Sequence, residues 1–176
     1  TFATGGQPRG ITAADIDGDG FSDLLVTNFT GNSVSVLRND GAGGFLPPVN
    51  YATGYQPYDV KVGDLDGDGD IDVVVSNSGT NSLSVLLNDG SGQFSQPAGS
   101  VIALGTSPAG LSLGDFDEDG DLDIATINYH LNSTTILLNR MATYSVSATS
   151  DDEGTAGNGG ELVFTNVACD LLNLKT

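Results

Sequence analysis

Asp15-Ile16-Asp17-Gly18-Asp19-Gly20-Phe21-Ser22-Asp23, Asp64-Leu65-Asp66-Gly67-Asp68-Gly69-Asp70-Ile71-Asp72 and Asp115-Phe116-Asp117-Glu118-Asp119-Gly120-Asp121-Leu122-Asp123 are three versions of one nonapeptide. All follow Asp-x-Asp-x-Asp-Gly-x-x-Asp, and the first aspartates stand 49 and 51 residues apart. The likeness extends outward from the loops. Residues 3–45 and 52–94 align without a gap and agree at 23 of 43 positions. A third copy runs from Ala103 through Pro108 to Asn139. A period near 50 residues points to a repeat architecture of propeller blades.

Within a repeat, Gly10 to Ala14, Leu24 to Asn28 and Ser33 to Asn39 are short runs rich in Val, Leu, Ile, Ser and Thr, bounded by turn residues. They read as strands. The Asn39-Asp40-Gly41 and Asn88-Asp89-Gly90 segments suit tight hairpins, because these residue types tolerate positive φ. A fourth strand is expected after Phe45 and Phe94, with Pro47 and Pro48 placing it at a sheet edge. The expectation is an all-β chain of propeller-type blades, each of four antiparallel strands: 1–50, 51–101 and 102–140, followed by a β tail over 141–176. In that tail, Ala142, Tyr144, Val146 and Ala148 alternate with Ser and Thr, an acidic glycine-rich loop follows, and Leu162 to Leu174 resumes as strand.

Composition narrows the function. The 176 residues include 23 acidic and 5 basic side chains, a formal net charge of −18. Nucleic acid and anionic membranes would be repelled, and there is no basic patch to anchor them. No stretch approaches the ~20 apolar residues of a membrane span. Thr1 stands where a start methionine would, so the expectation is a mature chain released from its leader and placed outside the cell or on its surface. Cys169 has no second cysteine to pair with inside the chain and reads as a small buried side chain, the alternative being a link between chains.

The surplus of acid is concentrated in the loops. Calcium is a hard cation that takes six to eight oxygens, and alternate aspartates on a tightly wound loop converge while glycine permits the bend. The expected ligands are Asp15, Asp17, Asp19 and Asp23; Asp64, Asp66, Asp68 and Asp72; and Asp115, Asp117, Asp119 and Asp123, with backbone carbonyls from Phe21, Asp70 and Asp121. Zinc or copper would call for His or Cys, of which the chain has one each. Magnesium prefers fewer carboxylates and keeps its waters. An EF-hand would place Glu at the twelfth position, where this chain has Val26, Val75 and Thr126. Asp-Gly pairs alone can simply make turns, but three loops with the same four aspartates exceed what turns require. Three calcium ions would take the formal charge from −18 to −12.

The loops, the Gly-x-x-Pro segments before them (Gly5 to Pro8, Gly54 to Pro57, Gly105 to Pro108) and the turns at Gly44-Phe45 and Gln93-Phe94 resemble FG-GAP/VCBS repeats, the unit also used in integrin α-subunit propellers. The resemblance covers residues 1–140. It implies an extracellular β-propeller with structural calcium, in an adhesion, lectin-like or assembly role. Glu118, standing where the other loops have Gly18 and Gly67, departs from the pattern.

Two function classes follow. One is a structural module that self-associates into an oligomer or filament, the tail adding a strand to a neighbour. The other is an adhesion or carbohydrate-binding module with a glycan or protein ligand. Tyr55, Tyr58, Phe29 and Tyr129 are candidates for stacking on sugars, but their repeat equivalents are not consistently aromatic and Trp is absent. An enzyme is not expected, because calcium-engaged carboxylates leave no vacancy and His130 has no nucleophile beside it. Asn28 and Asn132 open glycosylation sequons. Since Asn28 aligns with Asn77 and Asn128, which lack the sequon, it reads as a turn-forming residue.

Overall fold

The computed structural model describes residues 1–104 and 107–139. The expected tail strands, the acidic loop and Cys169 lie outside the described residues.

Twelve strands and no helix are found among the described residues. The first sheet has the order β1 (Pro8–Ala14), β2 (Asp23–Asn28), β3 (Ser33–Leu37), β4 (Val49–Ala52), all antiparallel. The second runs β5 (Pro57–Gly63), β6 (Asp72–Asn77), β7 (Ser82–Asn88), with β8 (Phe94–Ser95) and β9 (Val101–Ala103) both pairing with β7. Together β8 and β9 form its fourth edge. The third contains β10 (Pro108–Gly114), β11 (Asp123–Asn128) and β12 (Ser133–Leu137). These are blade-like sheets that do not close a ring among the described residues. Each opens with a proline, Pro8, Pro57 or Pro108, and each has a register shift just after it. A residue without an N–H sits without loss where the ladder is already irregular.

The sheets stack face to face. One core cluster lies between the first and second sheets, with Ile16, Leu25, Val34 and Val36 against Val60, Val73, Val75 and Leu86. The other lies between the second and third, with Leu65, Val74, Leu83 and Val85 against Leu111, Ile124 and Leu137. The middle sheet is therefore buried on both faces, which is why Val73-Val74-Val75 is continuously apolar rather than alternating. Every residue of β6 is buried. Burying a Val or Leu side chain contributes ~1.5–3 kcal/mol, so these clusters dominate the packing energy.

Polar bonds recur at both joints. Asn88 Nδ2 donates to the Ile16 carbonyl at 2.8 Å, and Asn139 Nδ2 to the Leu65 carbonyl at 2.7 Å. Nearer the other end of the strands, Thr27 Oγ1 donates to the Tyr58 carbonyl and Ser76 Oγ to the Ala109 carbonyl.

The Asn39-Asp40-Gly41 segment makes a tight turn between the bridged Asn39 and Phe45, with positive φ on Gly41 and Gly43 and with Asp40 Oδ1 accepting from the N–H of both Ala42 and Gly44. One local expectation is revised. Asn28 opens a turn, its carbonyl accepting from the Gly31 N–H, but its side chain has a further, structural role. It is fully buried, its Nδ2 donates to Ser33 and Ser35, and its Oδ1 accepts from the Gly5 N–H. A side chain so engaged is closed to glycosylation. The turn asparagines at positive φ are Asn32, Asn81 and Asn132.

Candidate metal centres

Each acidic loop leaves the end of a sheet's first strand and enters the second. Its winding is set by the aspartates themselves. The two Asp15 carboxylate oxygens accept from the N–H groups of Asp19 and Gly20, those of Asp64 from Gly67 and Gly69, and those of Asp115 from Asp119 and Gly120. The fifth-position carboxylates take the next bond: Asp19 Oδ1 accepts from Phe21 N at 2.8 Å, Asp68 Oδ1 from Asp70 N at 2.9 Å and Asp119 Oδ1 from Asp121 N at 3.1 Å. The loop thus coils inward. Gly18, Gly20, Gly67, Gly69 and Gly120 sit at positive φ, and Glu118 adopts the same left-handed conformation at φ 62°.

The ninth-position aspartates anchor the loops. Asp23, Asp72 and Asp123 are fully buried. One oxygen of each accepts from a backbone N–H inside its own loop, of Ile16, Leu65 or Phe116. The other accepts from the N–H of Asn39, Asn88 or Asn139, at 2.7, 2.9 and 2.7 Å. These asparagines hold the loop to the far side of the sheet, and Asn88 and Asn139 bind it to the preceding sheet as well. Sequence reading treated Asn39 and Asn88 only as turn formers. The usable signal was the constant spacing of 16 residues after each buried aspartate.

Ligand oxygens converge in every loop. Asp15, Asp17 and Asp19 each place one within 4.8 Å of the others, as do Asp64, Asp66 and Asp72, and Asp115, Asp117 and Asp123. Asp23, Asp68 and Asp119 complete the expected sets but bond to loop backbone outside these groupings. The crowding has electrostatic consequences. Burial, then the charges of Asp66 and Asp68, pushes Asp72 up to about 6 despite its two backbone hydrogen bonds. Burial followed by the Asp68 charge raises Asp66, and burial raises Asp23. Asp17 Oδ1 is buried with no hydrogen-bond donor, while its Oδ2 lies 3.6 Å from Arg38. A carboxylate oxygen left that way, among others of like charge, fits a cation. The all-oxygen donor set is that of a hard metal ion.

Antiparallel blade-like sheets joined in series, each carrying a metal-capable Asp-x-Asp-x-Asp-Gly loop, define a propeller-type repeat protein. The FG-GAP-like repeat profile matches residues 15–75 and 64–126, each match running from one acidic loop through the next. The chain belongs to the FG-GAP-like repeat family. No curated protein matches it. Such repeats are typically extracellular, and no helix among the described residues is long and apolar enough to cross a membrane.

Proposed function

We propose that this is a non-enzymatic extracellular module whose three loops each hold one structural calcium ion and whose sheet flanks pair with further copies of the chain. Calcium is supported by the donor chemistry: carboxylates throughout, three per grouping, with no His or Cys. The ion would be held by the loop aspartates and by the carbonyls of Phe21, Asp70 and Asp121. When bound, it supplies the positive charge that lets four carboxylates share a short loop. Isothermal titration of the EGTA-stripped protein tests this, with three calcium ions per chain expected and magnesium much weaker. Zinc tighter than calcium would overturn the ion assignment.

Self-association is supported by a contrast between inner and outer faces. Ile11, Val60 and Leu111 occupy equivalent positions, yet Ile11 is 61% exposed while Val60 and Leu111 are 0% and 8% exposed. Ile16, Leu65 and Phe116 are likewise equivalent, at 2%, 2% and 45%. Each inner residue is covered by the neighbouring sheet, and each outer one presents an apolar side chain that natural sheets cover. Phe116 also lacks, among the described residues, the asparagine that caps Ile16 and Leu65. A second copy bringing Asn39 to the Phe116 carbonyl would repeat the joint already present twice. Light scattering on the calcium-loaded chain decides the matter: dimers or larger are expected, and a stable monomer at micromolar concentration overturns the reading.

A further inference from the structure

At the strand ends remote from the acidic loops, the three sheets meet in a cleft of about 290 Å3 lined by Arg9, Phe29, Tyr58, Ser78, Ser107 and Tyr129. Its residues come from equivalent places. Arg9 and Tyr58 follow the prolines that open the first strands of the first and second sheets, and Phe29, Ser78 and Tyr129 follow the second strands of the three sheets. Arg9 reaches across a joint. Its guanidinium carbon lies 4.0 Å from the Phe29 ring centre and 5.0 Å from that of Tyr58, so two blades grip one cation.

That cation is distinctive in a chain carrying 23 acidic side chains. Among the described residues Arg38 pairs with Asp17 and Lys61 with Asp59, whereas Arg9 pairs with no carboxylate. The backbone at the mouth of the cleft offers an anion nothing else. The N–H groups of Phe29, Ser78 and Tyr129 already donate to the carbonyls of Gln7, Gln56 and Ser107. No backbone nest of the kind that captures a peptide's carboxylate is open there. The hydroxyls of Ser78 and Ser107 donate to the carbonyls of Gln56 and Ser78, leaving oxygen lone pairs to accept from a ligand. Tyr129 stands 72% exposed beside the cleft, its ring edge-on to His130 at 5.2 Å. The acidic loops do not forbid an anion here. A seven-residue strand separates the two ends by roughly 20 Å, more than twice the Debye length of ~8 Å at physiological ionic strength.

We infer that this cleft binds a saccharide bearing a carboxylate, a uronic acid residue of a glycan. The carboxylate pairs with the Arg9 guanidinium, an apolar ring face stacks on Tyr58 or Tyr129, and ring hydroxyls donate to Ser78 and Ser107. Arg9 thereby sets the preference for an acidic over a neutral sugar, and the aromatic side chains supply the contact area. The inference needs the folded, calcium-loaded blades but not their self-association, so it stands or falls separately from the oligomeric state.

The test is titration of the calcium-loaded full chain with methyl β-D-glucuronide, methyl β-D-glucoside and sodium acetate, followed by calorimetry or saturation-transfer NMR. The glucuronide is expected to bind at least about tenfold more tightly than either of the others, the margin one charge-assisted hydrogen bond provides. Arg9→Gln should abolish the preference, and Tyr58→Ala should weaken the glucuronide while leaving circular dichroism unchanged. Arg9→Lys separates charge from geometry, since an ammonium keeps the attraction but loses the planar fork and the stack. Equal binding of glucuronide and glucoside, acetate binding as tightly as the glucuronide, a preference that survives Arg9→Gln, or no glucuronide binding at all would each overturn the inference.

Discussion

The two ends of the strands obey different rules. At the loop end the repeats are near copies: the same aspartates recur, and the same pair of backbone N–H groups points into the buried ninth-position aspartate of all three loops. At the other end the equivalent side chains differ, Arg9 against Tyr58 and Phe29 against Ser78 and Tyr129, while the backbone bonds beneath them repeat. A loop that is to hold the same kind of ion in every repeat, as proposed, constrains its side chains each time. An end held by backbone bonds leaves its side chains free to build one asymmetric cleft.

If the loops hold calcium as proposed, removing the ion from the loop end should therefore have the largest effect. With site dissociation constants of ~10⁻⁴ M and millimolar calcium, three independent sites contribute about 4 kcal/mol. Calorimetry with and without EGTA should show the unfolding midpoint fall by roughly 10 °C. An unchanged midpoint would mean that the loops are self-sufficient turns.

Next comes a truncation that tests the ends against one another. Asp72→Ala removes a proposed metal ligand and leaves the N–H groups of Leu65 and Asn88 without their acceptor in a buried place. The expected cost in chemical denaturation is about 3 kcal/mol. Asp40→Ala, outside the acidic loops, loses two exposed turn bonds and should cost much less than Asp72→Ala. Tyr129→Ala at the other end should stay within about 0.5 kcal/mol. Comparable losses at Asp72 and Tyr129 would erase the distinction.

How far this was legible in the sequence follows the same division. The loops were readable because their ligands lie within nine residues of one another, and the middle sheet because Val73-Val74-Val75 can be buried on both faces at once. The joints were not. Asn88 reaches Ile16 across 72 residues and Asn139 reaches Leu65 across 74, and recurrence alone does not say which blade an asparagine will meet. The cleft was hidden for a related reason. Phe29, Tyr58 and Tyr129 were each weighed as repeated features and found inconsistent, whereas the fold gathers them into a single site around Arg9, and Tyr55 lines no part of it.

Acid should separate the metal-free and calcium-loaded forms. Asp72 is held at about 6 in the fold, above its ordinary value of 3.8, chiefly by burial. In the metal-free protein its contribution is complete below pH 3.8 and lost as pH rises through 6, so that form should be more stable near pH 4.5 than at pH 7. The difference from this group is on the order of 2 kcal/mol. Asp40 and Asp89, lowered by their turn hydrogen bonds, act in the opposite sense and only below their ordinary range. Calcium requires the ionised carboxylate, so the stabilisation it provides should shrink over the same interval. Urea unfolding at pH 7 and pH 5, with and without EGTA, gives both quantities. A calcium increment that does not change between these pH values would remove Asp72 from the ligand set.

The smallest effect sharpens the comparison within the loop end itself. Glu118 occupies the place of Gly18 and Gly67, and it takes up their left-handed backbone at φ 62° against 71° and 78°. The third loop keeps the winding of the first: Asp115 accepts from Asp119 and Gly120 as Asp15 accepts from Asp19 and Gly20. The loop has thus absorbed a side chain its conformation disfavours. A residue with a Cβ in that conformation costs ~1–2 kcal/mol, while glycine gives back part of this through its freer unfolded chain. Glu118→Gly should therefore stabilise the protein by about 0.5–1 kcal/mol in the metal-free state, where the lost carboxylate also relieves repulsion from its aspartate neighbours. With calcium bound the gain should persist but narrow, because one negative charge near the ion is gone. Paired denaturant curves with and without EGTA resolve the two numbers. Destabilisation in both states would mean that Glu118 holds the third loop together through its side chain, and that loop would then be a variant of the other two in mechanism as well as in sequence.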